Sequence, residues 1–127
     1  MYRITLEWKD GSTTQTQEFD LTCAVSLGIH SCNRLIIKDK SVKYQQAIIF
    51  ADKENVYLKC LHKAQHIYMN SGPTLYQGDV GHLYPGTCFY CGTTCIRVAS
   101  LTHPVARASR YFPLATQTSA YYAYTAV

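Results

Sequence analysis

Long apolar runs are missing from this sequence of 127 residues, in which no stretch approaches the roughly 18 apolar residues that cross a bilayer. The first ten residues, MYRITLEWKD, contain acids where a secretory signal peptide requires an apolar segment. We therefore expect a cytoplasmic protein with no membrane-spanning segment.

Charged residues are also scarce. They make up 16% of the chain, below the roughly 25% that is typical of soluble domains, whereas the hydrophobic share is an ordinary 47%. A chain of this composition has enough apolar surface to fold, and its length fits a single core. Intrinsic disorder is therefore not expected.

The last acidic residue is Asp79, and the chain has a net charge of +4. Two zones of the sequence have an excess of basic residues. Residues 28–46 contain four basic residues, Arg34 and three lysines, and one aspartate. After Asp79 the only charged residues are arginines. Neither zone is the continuous basic stripe with interleaved aromatics that is typical of nucleic-acid binding. We expect mildly basic, solvated surfaces, and the charge pattern does not favour a nucleic-acid partner.

Six cysteines are present, but the expected reducing compartment and the adequate core size remove the need for disulfides. Cys88, Cys91 and Cys95 lie in the segment TCFYCGTTC, whose C-x-x-C spacing is half of a zinc site. His82 or His103 would have to complete such a site. Because a second C-x-x-C is missing, we predict packed, reduced thiols rather than a metal site or a redox centre.

Catalytic motifs are missing as well. The sequence has no G-x-S-x-G, no H-E-x-x-H and no glycine-rich phosphate loop, and its five histidines show no diagnostic spacing to a nucleophile. The neighbouring acids, Glu18 with Asp20 and Asp52 with Glu54, fit solvated positions. We predict that the protein is not an enzyme and has no catalytic residue, metal or cofactor.

Short alternations of apolar and polar residues recur through the first hundred positions and indicate an all-β fold. Ile4, Leu6 and Trp8 alternate with polar residues, and Asp10-Gly11 predicts a hairpin to a strand that ends at Phe19. Further strands are predicted at residues 22–26, 35–37, 46–51, 56–60, 66–70, 87–91 and 94–98. This spacing favours a two-sheet antiparallel β-sandwich over residues 1–98.

The composition shifts after Val98 to Ala, Ser, Thr and Tyr, so we assign residues 99–127 to a C-terminal helix and tail. Thr102 followed by His103-Pro104 resembles an N-cap with proline in the first turn, which predicts a short helix over 104–111. The tyrosine-rich end is uncharged, and free aromatic surface favours contact. We expect the tail to pack on the sandwich or to insert into a neighbouring subunit of a homo-oligomer; a plain tail is the alternative.

Three segments, in their order along the chain, resemble the forkhead-associated (FHA) domain, a β-sandwich that binds phosphothreonine peptides. They are LGIHSCNRLIIKDKSVKYQQAIIF, VYLKCLHKAQHIYMNSG and LYPGTCFYCGTTCIRV, and the similarity covers about residues 25–98. The matching positions are Leu27-Gly28, Leu35-Ile36-Ile37, Asp39, Ser41-Val42, Ala47-Ile48-Ile49, Tyr68-Met69-Asn70, Gly86 and Gly92. The resemblance implies an FHA-like fold and a signalling role through protein–protein interaction.

Other residues occupy the positions that bind the phosphopeptide in that family. The resemblance places Ile29 where the family has an arginine after glycine, and Lys43 and Gln46 where it has the serine and histidine of Ser-x-x-His. The family's Asn-Gly turn falls at Gln65-His66. Arginine satisfies two phosphate oxygens with its planar fork, whereas isoleucine offers no donor. We therefore expect a degenerate site that binds phosphothreonine peptides weakly or not at all.

The resemblance and the charge pattern together predict a protein-binding module. We expect a basic loop edge to bind an acidic or phosphorylated segment of a protein partner. Its candidate residues are His30, Ser31, Arg34, Lys43, Gln46, Gln65, His66 and Asn70. Two alternatives stay open: a self-assembling structural subunit, as degenerate FHA domains are in the cytoplasmic parts of bacterial secretion rings, and a weak nucleic-acid binder.

Overall fold

Ten β-strands make up the part of the chain that the structure, a computed structural model, describes, namely residues 2–70 and 72–103. In chain order they are β1 (Arg3–Asp10), β2 (Thr13–Asp20), β3 (Val25–Gly28), β4 (Leu35–Ile36), β5 (Ala47–Ala51), β6 (Val56–Cys60), β7 (Tyr68–Met69), β8 (Val80–Leu83), β9 (Cys88–Cys91) and β10 (Thr94–Thr102). These residues include no helix that could span a membrane.

The strands form two five-stranded sheets that pack face to face. Sheet A has the order β2-β1-β10-β9-β7, and sheet B has the order β4-β3-β5-β6-β8. All paired strands are antiparallel except β3 and β4, which are parallel. The predicted all-β, two-sheet sandwich is therefore confirmed, with one parallel pair that the sequence pattern did not indicate.

The core lies between the two sheets because successive side chains of a strand point to opposite faces. Ile4 and Leu6 of β1 are fully buried, and so are Ile49 of β5, Leu58 of β6 and Phe89 of β9. Burial of an apolar side chain of this size stabilises the fold by about 1.5 to 3 kcal/mol. The alternation that indicated strands in the sequence is the same alternation that fills this core.

Several strand boundaries differ from those predicted. β8 was not predicted, because Val-Gly-His-Leu lacks β-branched alternation; its Gly81 faces the core, where a Cβ would lie 2.7 Å from the sulfur of Met69. β3 begins at Val25 rather than at residue 22, β7 contains two residues only, and β10 continues to Thr102, past the predicted end of the sandwich. The helix predicted over 104–111 and the tail lie outside the described residues.

The cysteines of the β9–β10 hairpin lie on both faces of sheet A. Cys91 is buried in the core, whereas Cys88 and Cys95 are half-buried on the outer face, and all six cysteines of the chain are free thiols. Burial raises the pKa of Cys91 to about 12. The two sulfur atoms of C-x-x-C therefore point in opposite directions, as residues three apart on a strand do. No cluster of three metal-ligating side chains occurs within residues 2–70 and 72–103.

Asp39, in the segment that follows β4, joins sheet B to sheet A. Its Oδ2 accepts hydrogen bonds from the backbone N of Thr93 at 3.1 Å and from the hydroxyls of Thr93 and Thr94 at 2.7 and 2.8 Å. Its Oδ1 accepts hydrogen bonds from the backbone N and the hydroxyl of Ser41 at 2.9 and 2.6 Å. One carboxylate thus connects the start of the 40–46 loop to the β9–β10 turn.

These hydrogen bonds determine how Asp39 responds to pH. Burial raises its pKa, but the bonds from Ser41, Thr93 and Thr94 outweigh that effect and hold the pKa well below its ordinary value. In the unfolded chain the group titrates near pH 4. The ionised carboxylate therefore stabilises the fold at neutral pH, and this stabilisation is lost as the pH falls below about 5.

Replacing the carboxylate with an amide, Asp39→Asn, is expected to lower the free energy of unfolding at pH 7 by about 2 kcal/mol. In the parent protein, hydroxyl and backbone donors bond the charged oxygens of Asp39. In the variant, some of these donors would face the amide NH₂ group, which cannot accept a hydrogen bond. The difference from the parent protein should shrink as the pH falls from about 5 toward 2, because protonation then removes the same charge from the parent. Urea unfolding at a series of pH values measures both effects.

Glu18→Gln is the matched control, because the Glu18 carboxylate is exposed and lies 3.7 Å from the guanidinium of Arg3. An exposed pair of this kind contributes at most about 1 kcal/mol, so the control should unfold close to the parent. Equal stabilities of the Asp39→Asn and Glu18→Gln proteins at pH 7 would show that Asp39 does not hold the sheets together.

Candidate functional site

Three segments meet at one end of the sandwich: residues 29–34 between β3 and β4, residues 40–46 before β5, and residues 61–66 after β6. We refer to them together as the loop edge. The backbone N of Ile29 donates to the carbonyl of Lys43 at 3.1 Å, and that of Leu61 donates to the carbonyl of Gln46 at 2.9 Å. Main-chain hydrogen bonds thus hold the 40–46 loop between the other two.

The first two segments are also held together by side chains. The His30 ring stacks on the Tyr44 ring with a centroid separation of 4.0 Å, and the Nδ1 of His30 accepts a hydrogen bond from the backbone N of Cys32 at 3.1 Å. The amide nitrogen of Asn33 donates to the carbonyls of His30 and Tyr44 at 2.9 and 2.8 Å. Tyr44 remains 60% exposed, so its outer ring face is open to a partner.

Gly28, the last residue of β3, allows this close approach. A Cβ at Gly28 would clash with the carbonyl oxygen of Tyr44 and would lie 2.8 Å from the Asn33 amide nitrogen. A side chain here would therefore push the 40–46 loop away from β3. The glycine that the FHA resemblance aligns is required in this chain by the packing of two loops.

The loop edge is basic. The three segments contain Arg34, Lys40, Lys43 and Lys63 and no aspartate or glutamate. The three lysines are exposed. A surface with cations and no carboxylates on its own segments attracts anionic groups, more strongly at low ionic strength.

Arg34 lies on the loop edge by sequence, but its side chain is engaged elsewhere. Its guanidinium donates to the carbonyls of Cys23 and Asp20 at 3.1 and 3.3 Å and lies 5.6 Å from the centroid of the Phe19 ring. These contacts direct the charge toward the segment that precedes β3. Arg34 and Lys43 therefore do not converge on one pocket.

Gln46 and Gln65 lie within the loop edge and shape it from inside. Gln46 is fully buried, and its Oε1 accepts a hydrogen bond from the backbone N of Lys43 at 3.3 Å. The Nε2 of Gln65 donates to the carbonyl of Ser41 at 2.5 Å. Of the buried side-chain polar atoms in the described residues, three lack a hydrogen-bond partner, and all belong to this region: Asn33 Oδ1, Gln46 Nε2 and Gln65 Oε1.

The remaining predicted residues divide into two groups. Ser31 is exposed on the first segment, beside His30. His66 is half-buried at the end of the third segment, with its ring 4.1 Å from the Tyr76 ring. Asn70 directly follows β7 of sheet A, and its Oδ1 accepts a hydrogen bond from the backbone N of Cys88 at 2.9 Å. The structure thus brings His30, Ser31, Lys43, Gln46 and Gln65 together. His66 ends the third segment with its ring against Tyr76, and Arg34 and Asn70 make structural contacts outside this group.

Two residues of the loop edge, Tyr44 and Asn33, and the neighbouring Asp39 were missed in the sequence analysis as contributors to the site. Tyr44 is an exposed aromatic in an otherwise polar segment, and that contrast was an available signal. Asn33 and Asp39 act through hydrogen bonds to residues eleven or more positions away, as from Asn33 to Tyr44 and from Thr93 to Asp39. Contacts of that separation leave no local pattern in the sequence.

A cavity of about 760 Å³ lies beside the loop edge, between the β1–β2 hairpin, the β9–β10 turn and residues 37–40. Four of its charged residues form two pairs: Arg97 lies 2.9 Å from Glu7, and Lys38 lies 3.9 Å from Asp10. Lys9 and Lys40 line it as well. Asp39 is satisfied by hydrogen bonds from the β9–β10 turn and Ser41. Carboxylates thus line the cavity beside its cations, whereas the three segments of the loop edge contain cations and no carboxylate, and the loop edge is the stronger candidate site.

Comparison with known proteins finds no matching family model and no matching curated protein for this sequence. Solved structures do match. The FHA domain of the CT664 protein from Chlamydia trachomatis aligns with a TM-score of 0.64 and 16% sequence identity, over 80% of this chain and 97% of that chain. The FHA domain of a hypothetical protein from Arabidopsis thaliana aligns with a TM-score of 0.67 and 20% identity, over 76% and 83% of the two chains.

A third match is the MEK1 FHA domain in complex with a phosphothreonine peptide of HOP1. It aligns with a TM-score of 0.56 and 14% identity, over 75% of this chain and 97% of that chain. At these low identities, the structural similarity establishes a shared fold only, and function has to be inferred from the site. The strand arrangement and these matches confirm the resemblance seen in the sequence: the described residues form an FHA-like β-sandwich.

Proposed function

We propose that the protein is a non-catalytic interaction module whose loop edge binds an acidic or phosphorylated segment of a partner protein. The observation that carries this proposal is the charge pattern of three interlocked loops, which present Lys40, Lys43 and Lys63 without a carboxylate. The solved MEK1 FHA domain, which has the same fold, is in complex with a phosphothreonine peptide. That complex supports a peptide as the kind of ligand.

Lys43 is the residue that we expect to contact the anionic group. It is exposed at the position where the FHA resemblance places the serine of Ser-x-x-His. Its carbonyl accepts a hydrogen bond from the backbone N of Ile29, and its backbone N donates to the side-chain Oε1 of Gln46. A lysine ammonium binds phosphate or carboxylate as a point charge and discriminates between them less than an arginine fork does. The module should therefore accept carboxylate-rich segments as well as phosphorylated ones.

Ile29 and Tyr44 give the same surface an apolar component. Ile29 is 39% exposed, and Tyr44 is stacked on His30 with its other face open. Aromatic and aliphatic side chains at this position favour a partner segment that has apolar residues beside its anionic group. Affinity would then come from apolar contact together with charge.

Lys43→Ala is expected to weaken the binding of an anionic peptide by about three- to tenfold, because it removes one charge-assisted contact. Three fluorescein-labelled peptide pools, with a central phosphothreonine, glutamate or threonine in random flanks, can be titrated by fluorescence anisotropy. The first two pools should bind more tightly than the third, and added salt should reduce the difference.

Lys53→Ala is the matched control, because Lys53 is exposed on the β5–β6 turn at the opposite end of the sandwich. It removes the same charge and should leave peptide binding unchanged. Equal losses in the Lys43→Ala and Lys53→Ala proteins, or equal binding of the three pools, would mean that the loop edge does not recognise anionic segments.

Ile29→Arg should restore a phosphate fork at the position where the FHA resemblance places one. The exposed side chain of Ile29 leaves space for arginine, and the backbone hydrogen bond to Lys43 is unaffected by the substitution. One restored charge-assisted interaction is expected to contribute about 1.5 to 3 kcal/mol, which is tenfold to more than a hundredfold in affinity for phosphothreonine peptides. Ile36→Arg, at a comparably exposed isoleucine of β4, controls for added charge. No gain specific to Ile29→Arg would show that the loop edge has lost phosphate-binding geometry.

A further inference from the structure

The outer face of sheet B carries a row of neighbouring rings, in which two of the three pairs are stacked and the Tyr57–His82 pair is tilted by 55°. The Phe50 and Tyr57 rings of β5 and β6 lie 5.4 Å apart, the Tyr57 and His82 rings lie 4.9 Å apart, and the His82 and Tyr84 rings lie 6.0 Å apart and nearly parallel. Val80, on the same face of β8, is 46% exposed, and Tyr84 is 56% exposed. We refer to these five residues as the aromatic face.

On the outer face of sheet A, the part formed by β2, β1 and β10 differs in chemistry, whereas the opposite edge exposes Tyr68 of β7 and Tyr90 of β9. The β2 strand has the sequence TTQTQEFD, with exposed threonines such as Thr14 and Thr16, and the β1 and β10 strands pair through Glu7 and Arg97 at 2.9 Å. A polar outer face of this kind is stable in water. A contiguous exposed row of aromatic and aliphatic side chains usually marks a surface that another segment covers.

The described chain ends next to the aromatic face. The ring of His103, which follows β10, packs edge-on against the Tyr2 ring at 4.2 Å, and the Tyr2 hydroxyl donates to the carbonyl of Glu54 at 2.6 Å. Glu54 lies in the β5–β6 turn, and the Asp52 carboxylate of that turn accepts a hydrogen bond from the Tyr57 hydroxyl at 2.8 Å. His103, the last described residue, therefore lies near the turn that joins the strands of Phe50 and Tyr57.

Residues 104–127 match that surface in charge and in hydrophobicity. They contain Arg107 and Arg110 and no acid, and the adjacent β5–β6 turn contains two acids, Asp52 and Glu54, and one cation, Lys53. Tyr111 and Phe112 follow the arginines directly. A five-residue strand is about 17 Å long, whereas these 24 residues would extend about 36 Å even as a helix. Their length is sufficient to cross the aromatic face.

We propose that residues 104–127 pack on the aromatic face of their own chain, with the two arginines next to Asp52 and Glu54 and the following aromatic residues on the row of rings. The loop edge, at the other end of β5 and β6, stays open in this arrangement. Packing of the C-terminal segment and recognition of a partner at the loop edge are thus separate properties.

Site-specific photo-cross-linking in the full-length protein tests this proposal. Benzoylphenylalanine in place of Tyr84 places the reactive group on the aromatic face, and the same residue in place of Thr16 places it on the outer face of sheet A. After irradiation and proteolysis, mass spectrometry identifies the linked peptides. We expect peptides from 104–127 to be linked to position 84 at least fivefold more often than to position 16.

Isotope labelling distinguishes the same chain from a second copy. In an equimolar mixture of ¹⁵N-labelled and unlabelled protein, links within one chain join peptides of one isotope only, whereas links between copies also give mixed pairs. Links within one chain support the proposal. Mixed pairs at position 84 would overturn it in favour of self-association, and an equal yield at positions 84 and 16 would overturn it outright.

The charge component of the proposal can be tested in the same experiment. Arg107→Glu combined with Arg110→Glu should reduce the yield of links from position 84 several-fold, because both charges would then face Asp52 and Glu54. Adding Glu54→Lys should restore part of that yield, and the Glu54 main-chain carbonyl that binds Tyr2 is retained in this variant. An unchanged yield in the doubly substituted protein would contradict the assigned placement of the arginines.

Discussion

Both the sandwich and its candidate site depend on the hydrogen bonds that the ionised carboxylate of Asp39 accepts. It accepts hydrogen bonds from Thr93 and Thr94 of sheet A and from Ser41 of the loop that leads into sheet B. The Ser41 carbonyl accepts the next bond, from Gln65. One anion therefore connects the two sheets and positions two segments of the loop edge, at the cost of keeping a charge partly out of water.

This connection explains why a basic loop edge has a defined shape. Lysine-rich loops repel one another and ordinarily need a counter-charge, and Asp39 provides a negative charge at the base of the 40–46 loop, below Lys40 and Lys43. Because its oxygens are already occupied by hydroxyl and backbone donors, Asp39 does not need either lysine as a partner. The lysines thus remain exposed and available for an external anion, and the hydrogen bond from the backbone N of Ile29 holds the Lys43 main chain in place.

The candidate site could be located from the sequence but its internal arrangement could not. Alignment with the FHA pattern placed His30, Lys43 and Gln65 in loops that the structure does bring together. The pattern did not predict side-chain direction: Arg34 lies in the same loops, yet its guanidinium donates to the carbonyls of residues 20 and 23. Gln46 was expected on the surface and is buried, since its side chain bonds back to its own loop.

Local sequence determined the strands, because alternation of apolar and polar residues and turn residues such as Asp10-Gly11 act over a few positions. It also determined that the chain is mildly basic and rich in free thiols. Only the tertiary structure decided which strands share a sheet, why Gly28 must lack a side chain, and where Asp39 finds its donors. Those properties arise from contacts between residues such as Asp39 and Thr93, which are far apart in the chain and meet only when the two sheets pack.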